Sequence, residues 1–315
     1  MSRLSYDNAE TLVYDPVSAN RTQTRAALYT LGFRRIESVA SLDAFASALQ
    51  KRSPDLALCE AQGAEAELCD LIQKVRLGGS YNPFIVIIVT AWEKSNTLAG
   101  RVINSGADDL LLRPYSVSAL GQRIKTHTEK RKGFVITTDY VGPDRRRDEN
   151  RPSEVELFSP PNSLQMKAQD GMADEDVASR MEAELRRARE IFSAEKLRRD
   201  AFQICILWRL LQSYLPSSPK YEADAKRLGE LAESVAERCA GTGYASAIDW
   251  CEHAKSAIEG LLAGVDRNAA MHLLGHAVIH IDQVFAPGIE EGERLRRIDA
   301  TVESIYVRTA TELAS

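Results

Sequence analysis

Hydrophobic and polar positions follow one pattern in the first 132 residues and a different one after residue 173. Between residues 11 and 132, apolar runs of strand length alternate with amphipathic windows of helical length, which predicts a parallel sheet with crossover helices. We predict strands over residues 11–15, 34–39, 55–60, 84–90 and 108–113. We predict helices over residues 19–31, 42–51, 64–77, 93–104 and 116–130. The third and fourth strands are almost continuously apolar, which is typical of central strands covered on both faces.

Residues 133–172 lack this periodicity. Four prolines stand among charged and small polar residues in this segment, which predicts a linker or an extended arm. Three consecutive arginines, Arg145, Arg146 and Arg147, leave two interpretations open. They bind a phosphate or an acidic partner, or they are solvated and paired with the acidic residues beside them.

Residues 173–315 carry helical patterns. From residue 174 to residue 215 there is no proline or glycine, and apolar residues recur at steps of three and four, which predicts one long amphipathic helix. Four more helices are expected over residues 221–239, 245–263, 267–285 and 290–314, and they form a bundle with the second half of the long helix. Because its first half is highly charged, we expect that half to pair with a second copy as a coiled coil or to project as a stalk.

Composition and charge narrow the classes of protein. The formal net charge is −5, from 40 basic and 45 acidic residues, and this balance makes nucleic acid an unlikely partner. The longest apolar run, residues 84–89, is far shorter than the ~20 residues of a membrane span. Residues 1–8 show no secretory signal, and a cytoplasmic location is expected. The five cysteines form no Cys-x-x-Cys pair, so we expect them to be reduced and structural.

Four side chains stand at the carboxyl ends of predicted strands: Asp15, Glu60, Thr90 and Arg113. In an open parallel sheet, ligands bind outside these strand ends. We therefore expect the four side chains to form one pocket.

The surrounding motifs resemble the receiver domain of bacterial response regulators over about 120 residues. The motifs are Asp15 after Leu-Val-Tyr, Pro54-Asp55-Leu56, Val89-Thr90-Ala91, Ser105-Gly106-Ala107 and Arg113-Pro114-Tyr115. The resemblance implies a flavodoxin-like (βα)5 domain over residues 1–132, an arm over 133–172 and a helical domain over 173–315. It also implies a role in two-component signalling, with a histidine kinase or another regulator as partner.

In the family, two acidic residues after the first strand and an aspartate after the third hold Mg²⁺, and that aspartate accepts a phosphoryl group. A threonine or serine and a lysine contact the phosphoryl oxygens. In this sequence Pro16 follows Asp15, Glu60 stands at the acceptor position and Arg113 replaces the lysine. The resemblance thus implies a degenerate pocket without catalytic residues or a cofactor, in which Asp15 is the remaining candidate Mg²⁺ ligand.

Three interpretations of this pocket follow. Glu60 imitates a phosphorylated aspartate and fixes the domain in one state; or some phosphorylation remains; or Glu60 and Arg113 form a purely structural ion pair. The leading hypothesis is a non-enzymatic, atypical response regulator that acts by protein–protein interaction.

His272, His276 and His280 lie four residues apart on one stripe of a predicted helix. This spacing suits a metal site or a phosphotransfer histidine, and it also suits histidines that simply edge the bundle. A phosphotransfer protein that uses one of these histidines is therefore an alternative function. A DNA-binding output is a third, although the helical half is not conspicuously basic.

Overall fold

The predicted parallel sheet forms in the computed structural model, which describes residues 4–93, 95–137, 140–145, 157–264 and 266–313. Its strand order is β2-β1-β3-β4-β5, and all four pairings are parallel. This order is flavodoxin-like, so the expected fold class is confirmed. The strands are β1 Glu10–Tyr14, β2 Arg35–Val39, β3 Leu56–Glu60, β4 Val86–Ala91 and β5 Asp109–Leu112. Every residue of β3 and β4 is buried, as expected for central strands.

Five helices alternate with these strands. They are α1 Ser18–Thr30, α2 Leu42–Arg52, α3 Glu65–Arg76, α4 Asn96–Ser105 and α5 Val117–Glu129. Local sequence explains their ends, since the Ser95 side chain accepts a hydrogen bond from the amide of Leu98 and caps α4. Gly106 ends the same helix with a φ of 88°, a left-handed conformation that favours glycine.

The described residues between 133 and 172 include short elements of regular structure, although the sequence pattern predicts a linker or an extended arm. These elements are an antiparallel hairpin, β6 Phe134–Ile136 and β7 Val141–Pro143, and a short helix, α6 Ser163–Ala168. The Phe84 ring contacts both Phe134 and Phe158, at centroid distances of 6.1 and 5.5 Å. Leu164 is fully buried in the core that contains Leu28 of α1 and Leu120 of α5. Single apolar anchors of this kind create no periodicity, which is why the sequence pattern predicts an arm.

Of the three consecutive arginines in this segment, the structure describes one. Arg146 and Arg147 lie outside the described residues. Arg145 donates hydrogen bonds to the backbone carbonyls of Ala107 and Asp108. Arg145 is therefore bonded to the protein's own backbone.

The chain divides into two compact units, Met1–Glu190 and Ile191–Ser315. The division falls inside helix α7, Asp174–Ser213. In its first half, Val177, Met181 and Ala188 are buried within the single chain. These three side chains are therefore covered by the chain itself, and pairing with a second copy stays a prediction.

In the second unit, the described elements of secondary structure are all helices. After the end of α7 the unit contains α8 Pro219–Cys239, α9 Ile248–Leu262, α10 Arg267–Phe285 and α11 Glu291–Leu313. Helix α9 packs against both α8 and α10, and the core includes the buried Leu228, Ile258 and Leu274. Among the described residues, no helix is both long enough and apolar enough to cross a membrane.

All five cysteines are free and buried. Burial raises the pKa of Cys205 and of Cys251 to about 12. Because the thiolate is the reactive form, these thiols are poor nucleophiles at neutral pH.

Candidate functional site

The four side chains expected at the strand ends meet in one buried pocket. Asp15 follows β1, Glu60 ends β3, Thr90 lies near the end of β4 and Arg113 follows β5. Glu60 and Thr90 are direct neighbours in the parallel register of β3 and β4. All four are less than 9% exposed. The sheet therefore brings two carboxylates, one hydroxyl and one guanidinium together away from water.

Both oxygens of the Glu60 carboxylate accept hydrogen bonds. Its Oε2 accepts hydrogen bonds from Thr90 Oγ1 and from Arg113 Nε, both at 2.7 Å. Its Oε1 accepts a bond from the backbone amide of Gln62 at 3.1 Å. Hydrogen bonds from a cation to an ionised acceptor are among the strongest in proteins. The side chain at the acceptor position is thus locked by its neighbours.

Arg113 joins the two carboxylates. Besides its bond to Glu60, its Nη2 lies 3.2 Å from Asp15 Oδ2 and 3.2 Å from Thr24 Oγ1. The guanidinium carbon lies 4.9 Å from the centroid of the Tyr115 ring and 5.9 Å from that of Trp92. A planar fork with several fixed donors suits this arrangement, whereas a lysine ammonium is a single point charge.

Asp15 is also bonded on its other oxygen. Its Oδ1 accepts a hydrogen bond from the backbone amide of Val17 at 2.8 Å. Arg21 donates to the backbone carbonyl of Asp15 at 2.7 Å. Both carboxylate oxygens of Asp15 therefore have donors within the protein.

Thr24 is a pocket residue that the sequence pattern did not identify. It lies on α1, is 1% exposed and shares a 3.0 Å hydrogen bond with the Tyr115 hydroxyl. A threonine on the inner face of an amphipathic helix looks like an ordinary core position, so the sequence offers no signal for it.

A second buried charge network lies at the opposite end of the strands, near the amino ends of β4 and β5. Asp108 Oδ2 lies 2.7 Å from Arg76 Nη2, and its Oδ1 lies 2.9 Å from Arg131 Nε. Arg76 also donates to the Gly106 carbonyl at 2.8 Å. These groups tie loops together and are fully bonded, so the network is structural.

The histidines of the second unit are only partly brought together. His276 Nε2 and His280 Nε2 lie 3.3 Å apart on α10. His272 is exposed one turn earlier. All three line a cavity of about 500 Å³.

Comparisons with known proteins concern the first unit. No protein-family model and no curated protein matches the chain. Among solved structures, a signal receiver domain of a histidine kinase from Clostridium thermocellum is 18% identical, covers 38% of this chain and 96% of its own, and has a TM-score of 0.35. A CheY-like receiver domain protein from Methanospirillum hungatei is 21% identical over 37% of this chain and 90% of its own, with a TM-score of 0.34. An orphan response regulator of H. pylori is 20% identical over 38% and 97%, with a TM-score of 0.33.

Proposed function

We propose that this chain is a non-enzymatic protein of two-component signalling, in which Glu60 fixes a receiver-like unit in one state that acts by binding a signalling partner. The observation that supports this most directly is the pair of 2.7 Å bonds from Thr90 and Arg113 to the same oxygen of Glu60. The receiver resemblance assigns this pair of contacts, from a hydroxyl and a cation, to a phosphoryl group. Here the side chain at the acceptor position receives both.

The geometry disfavours phosphoryl transfer to Glu60. Transfer of a phosphoryl group to a carboxylate requires cations that face the developing charge. Both oxygens of Glu60 already accept hydrogen bonds, and Arg113 is committed to Glu60 and Asp15. A phosphoryl group would therefore have to draw Arg113 away from both carboxylates before this cation could face the developing charge.

The donors present do not suit Mg²⁺. This ion requires near-octahedral coordination by about six oxygens at roughly 2.0–2.1 Å. Pro16 offers no carboxylate, and the guanidinium of Arg113 contacts the Asp15 and Glu60 oxygens that would face a metal. We infer that the positive charge of Arg113 takes the electrostatic role that a divalent cation has in phosphorylated receivers.

Two measurements on the full chain test this proposal. After incubation with Mg²⁺ and acetyl phosphate, intact-mass analysis should show no added phosphoryl group. Hydrogen exchange should also be unchanged by Mg²⁺ with beryllofluoride, which imitates an acyl phosphate. A hydroxylamine-labile adduct, or a saturable Mg²⁺-dependent change in exchange around Thr90, contradicts the fixed state.

Variants separate a fixed state from an inert pocket. Glu60→Gln removes the charge, and we expect faster exchange in the segments that carry Thr90 and Arg113. Glu67→Gln changes an exposed glutamate on α3 and should leave these segments unchanged. If Glu60→Gln behaves like Glu67→Gln, the charge of Glu60 does not hold the unit in its state.

A further inference from the structure

The strongest unassigned chemistry lies on α10 in the second unit. His276 and His280 are separated by one helical turn, and their Nε2 atoms lie 3.3 Å apart. Histidines at positions i and i+4 share a helix face, and this spacing supplies two metal ligands in known zinc sites. We propose that His276 and His280 form a two-histidine site for a divalent transition-metal ion of the Zn²⁺ class.

The separation of the two nitrogens fits such an ion. Zn²⁺ binds histidine nitrogens at about 2.0–2.1 Å in tetrahedral sites, which places two ligand nitrogens about 3.3–3.4 Å apart. The observed separation of 3.3 Å matches this edge. Binding of an ion by both Nε2 atoms requires each ring to carry its proton on Nδ1, so that both Nε2 lone pairs face the ion.

Aromatic packing orients the pair. The Trp250 ring on α9 stacks on His280 at 4.2 Å with an interplanar angle of 14°. The same indole contacts His276 edge-on at 5.4 Å. An imidazole held against a neighbouring ring loses little rotational freedom on binding a metal, because its orientation is set before the ion arrives.

The space beside the pair leaves room for further ligands. His276 and His280 line the cavity of about 500 Å³, together with Gln283 and Glu291. Among the described residues, no group of three or more His, Cys, Asp or Glu side chains is arranged to hold a metal. The protein therefore supplies two ligands, and water or a small anion in the cavity completes the coordination. Imidazole ligands favour Zn²⁺, Cu²⁺ and Ni²⁺ over Mg²⁺ and Ca²⁺.

Calorimetric titration of the full chain with ZnCl₂ tests the site. We expect saturable binding of one Zn²⁺ ion per chain, and with Co²⁺ an absorption spectrum typical of nitrogen ligation. Replacing either histidine, in His276→Gln or His280→Gln, should weaken binding by more than about tenfold, since loss of even an outer-shell partner of a metal ligand costs that much.

The chain offers a matched control. His253 on α9 is exposed, and the centroid of its ring lies 5.6 Å from that of Trp250. His253→Gln should leave Zn²⁺ affinity unchanged. The site is refuted if the wild-type chain shows no saturable binding, or if His276→Gln, which replaces an exposed side chain, binds as tightly as the wild type. This inference does not depend on the receiver-like pocket.

Discussion

At the scale of single residues, Asp108 shows how burial and charge compete. Burial alone would raise its pKa, but the charges of Arg131 and Arg76 outweigh burial and lower the pKa from 3.8 to about 2. Burial also lowers the pKa of Arg76, to about 10, against the opposing charge of Asp108. The charged form of each residue is thus stabilised by the opposite charge of its buried partner, which offsets the loss of hydration.

The lowered pKa of Asp108 predicts a pH dependence of stability. Because the folded pKa lies below the unfolded one, Asp108 stabilises the fold above about pH 4, and this contribution of about 2 kcal/mol is lost as the pH falls towards 2. Asp108→Asn should lack this part of the acid loss. It should also be less stable at pH 7 by about 3–5 kcal/mol, since Arg76 keeps a buried charge without its partner.

Hydrogen exchange on β3, β4 and β5 at several urea concentrations would measure the free energy of unfolding of the first unit alone. Asp70→Asn changes an exposed carboxylate on α3 and serves as the control. If Asp108→Asn and Asp70→Asn lose stability in parallel between pH 4 and pH 2, the assignment of this acid loss to Asp108 is wrong.

The sequence pattern predicts the pocket around Glu60 but does not predict the charge network around Asp108. Asp15, Glu60, Thr90 and Arg113 each follow or end a recognisable apolar run, so the topology of a parallel sheet brings them together. Arg76 stands in the last turn of α3, where a basic residue ordinarily meets solvent and the helix dipole. Its burial arises from tertiary packing, which the local pattern does not contain.

At the scale of elements, two glycines inside the helices of the second unit have opposite surroundings. A Cβ at Gly275 on α10 would lie 2.9 Å from Cζ2 and 3.1 Å from Nε1 of the buried Trp208. A Cβ at Gly229 on α8 would meet only Ile258, at an ordinary 3.6 Å. Gly275 therefore lets the indole pack against the helix backbone, whereas Gly229 has no such role.

Alanine substitutions should separate the two positions. Gly229→Ala should stabilise the second unit by about 0.5–1 kcal/mol, since alanine favours a helix interior. Gly275→Ala gains the same amount but forces the Trp208 ring to move, at a cost of about 1–3 kcal/mol. Urea unfolding followed by hydrogen exchange on α8 and α10 would compare them. Equal stabilisation by both changes would show that the indole shifts freely.

Periodicity predicted elements with different success in different parts of the chain. Helix α10 was expected over residues 267–285 and is observed as Arg267–Phe285. The hairpin and α6 were not predicted, since their strands are three residues long and the helix has six. Elements of three to six residues are too short to show a period of 2 or 3.6. They are stabilised by burial of Phe134 and Leu164.

At the scale of the whole molecule, the boundary of the first unit depends on this folded segment. The sequence pattern ends the domain at residue 132, whereas contacts extend the unit well beyond it. Phe134 and Leu164 are both fully buried. The Lys167 ammonium lies 2.9 Å from Asp55 Oδ2, and both side chains are less than 10% exposed. A receiver-like unit that stops at residue 132 would expose the surfaces that these groups cover.

We therefore expect a fragment of residues 1–173 to be more stable than one of residues 1–132. Burial of two large apolar side chains contributes about 1.5–3 kcal/mol each, or about 3–6 kcal/mol together. Small domains have a total stability of roughly 5–15 kcal/mol, so the shorter fragment should unfold at much lower urea concentrations. Leu164→Ala in the longer fragment should reproduce part of this loss and lower the free energy of unfolding by about 2–5 kcal/mol. Equal urea midpoints for the two fragments would mean that the sheet and its five helices fold without the segment that follows them.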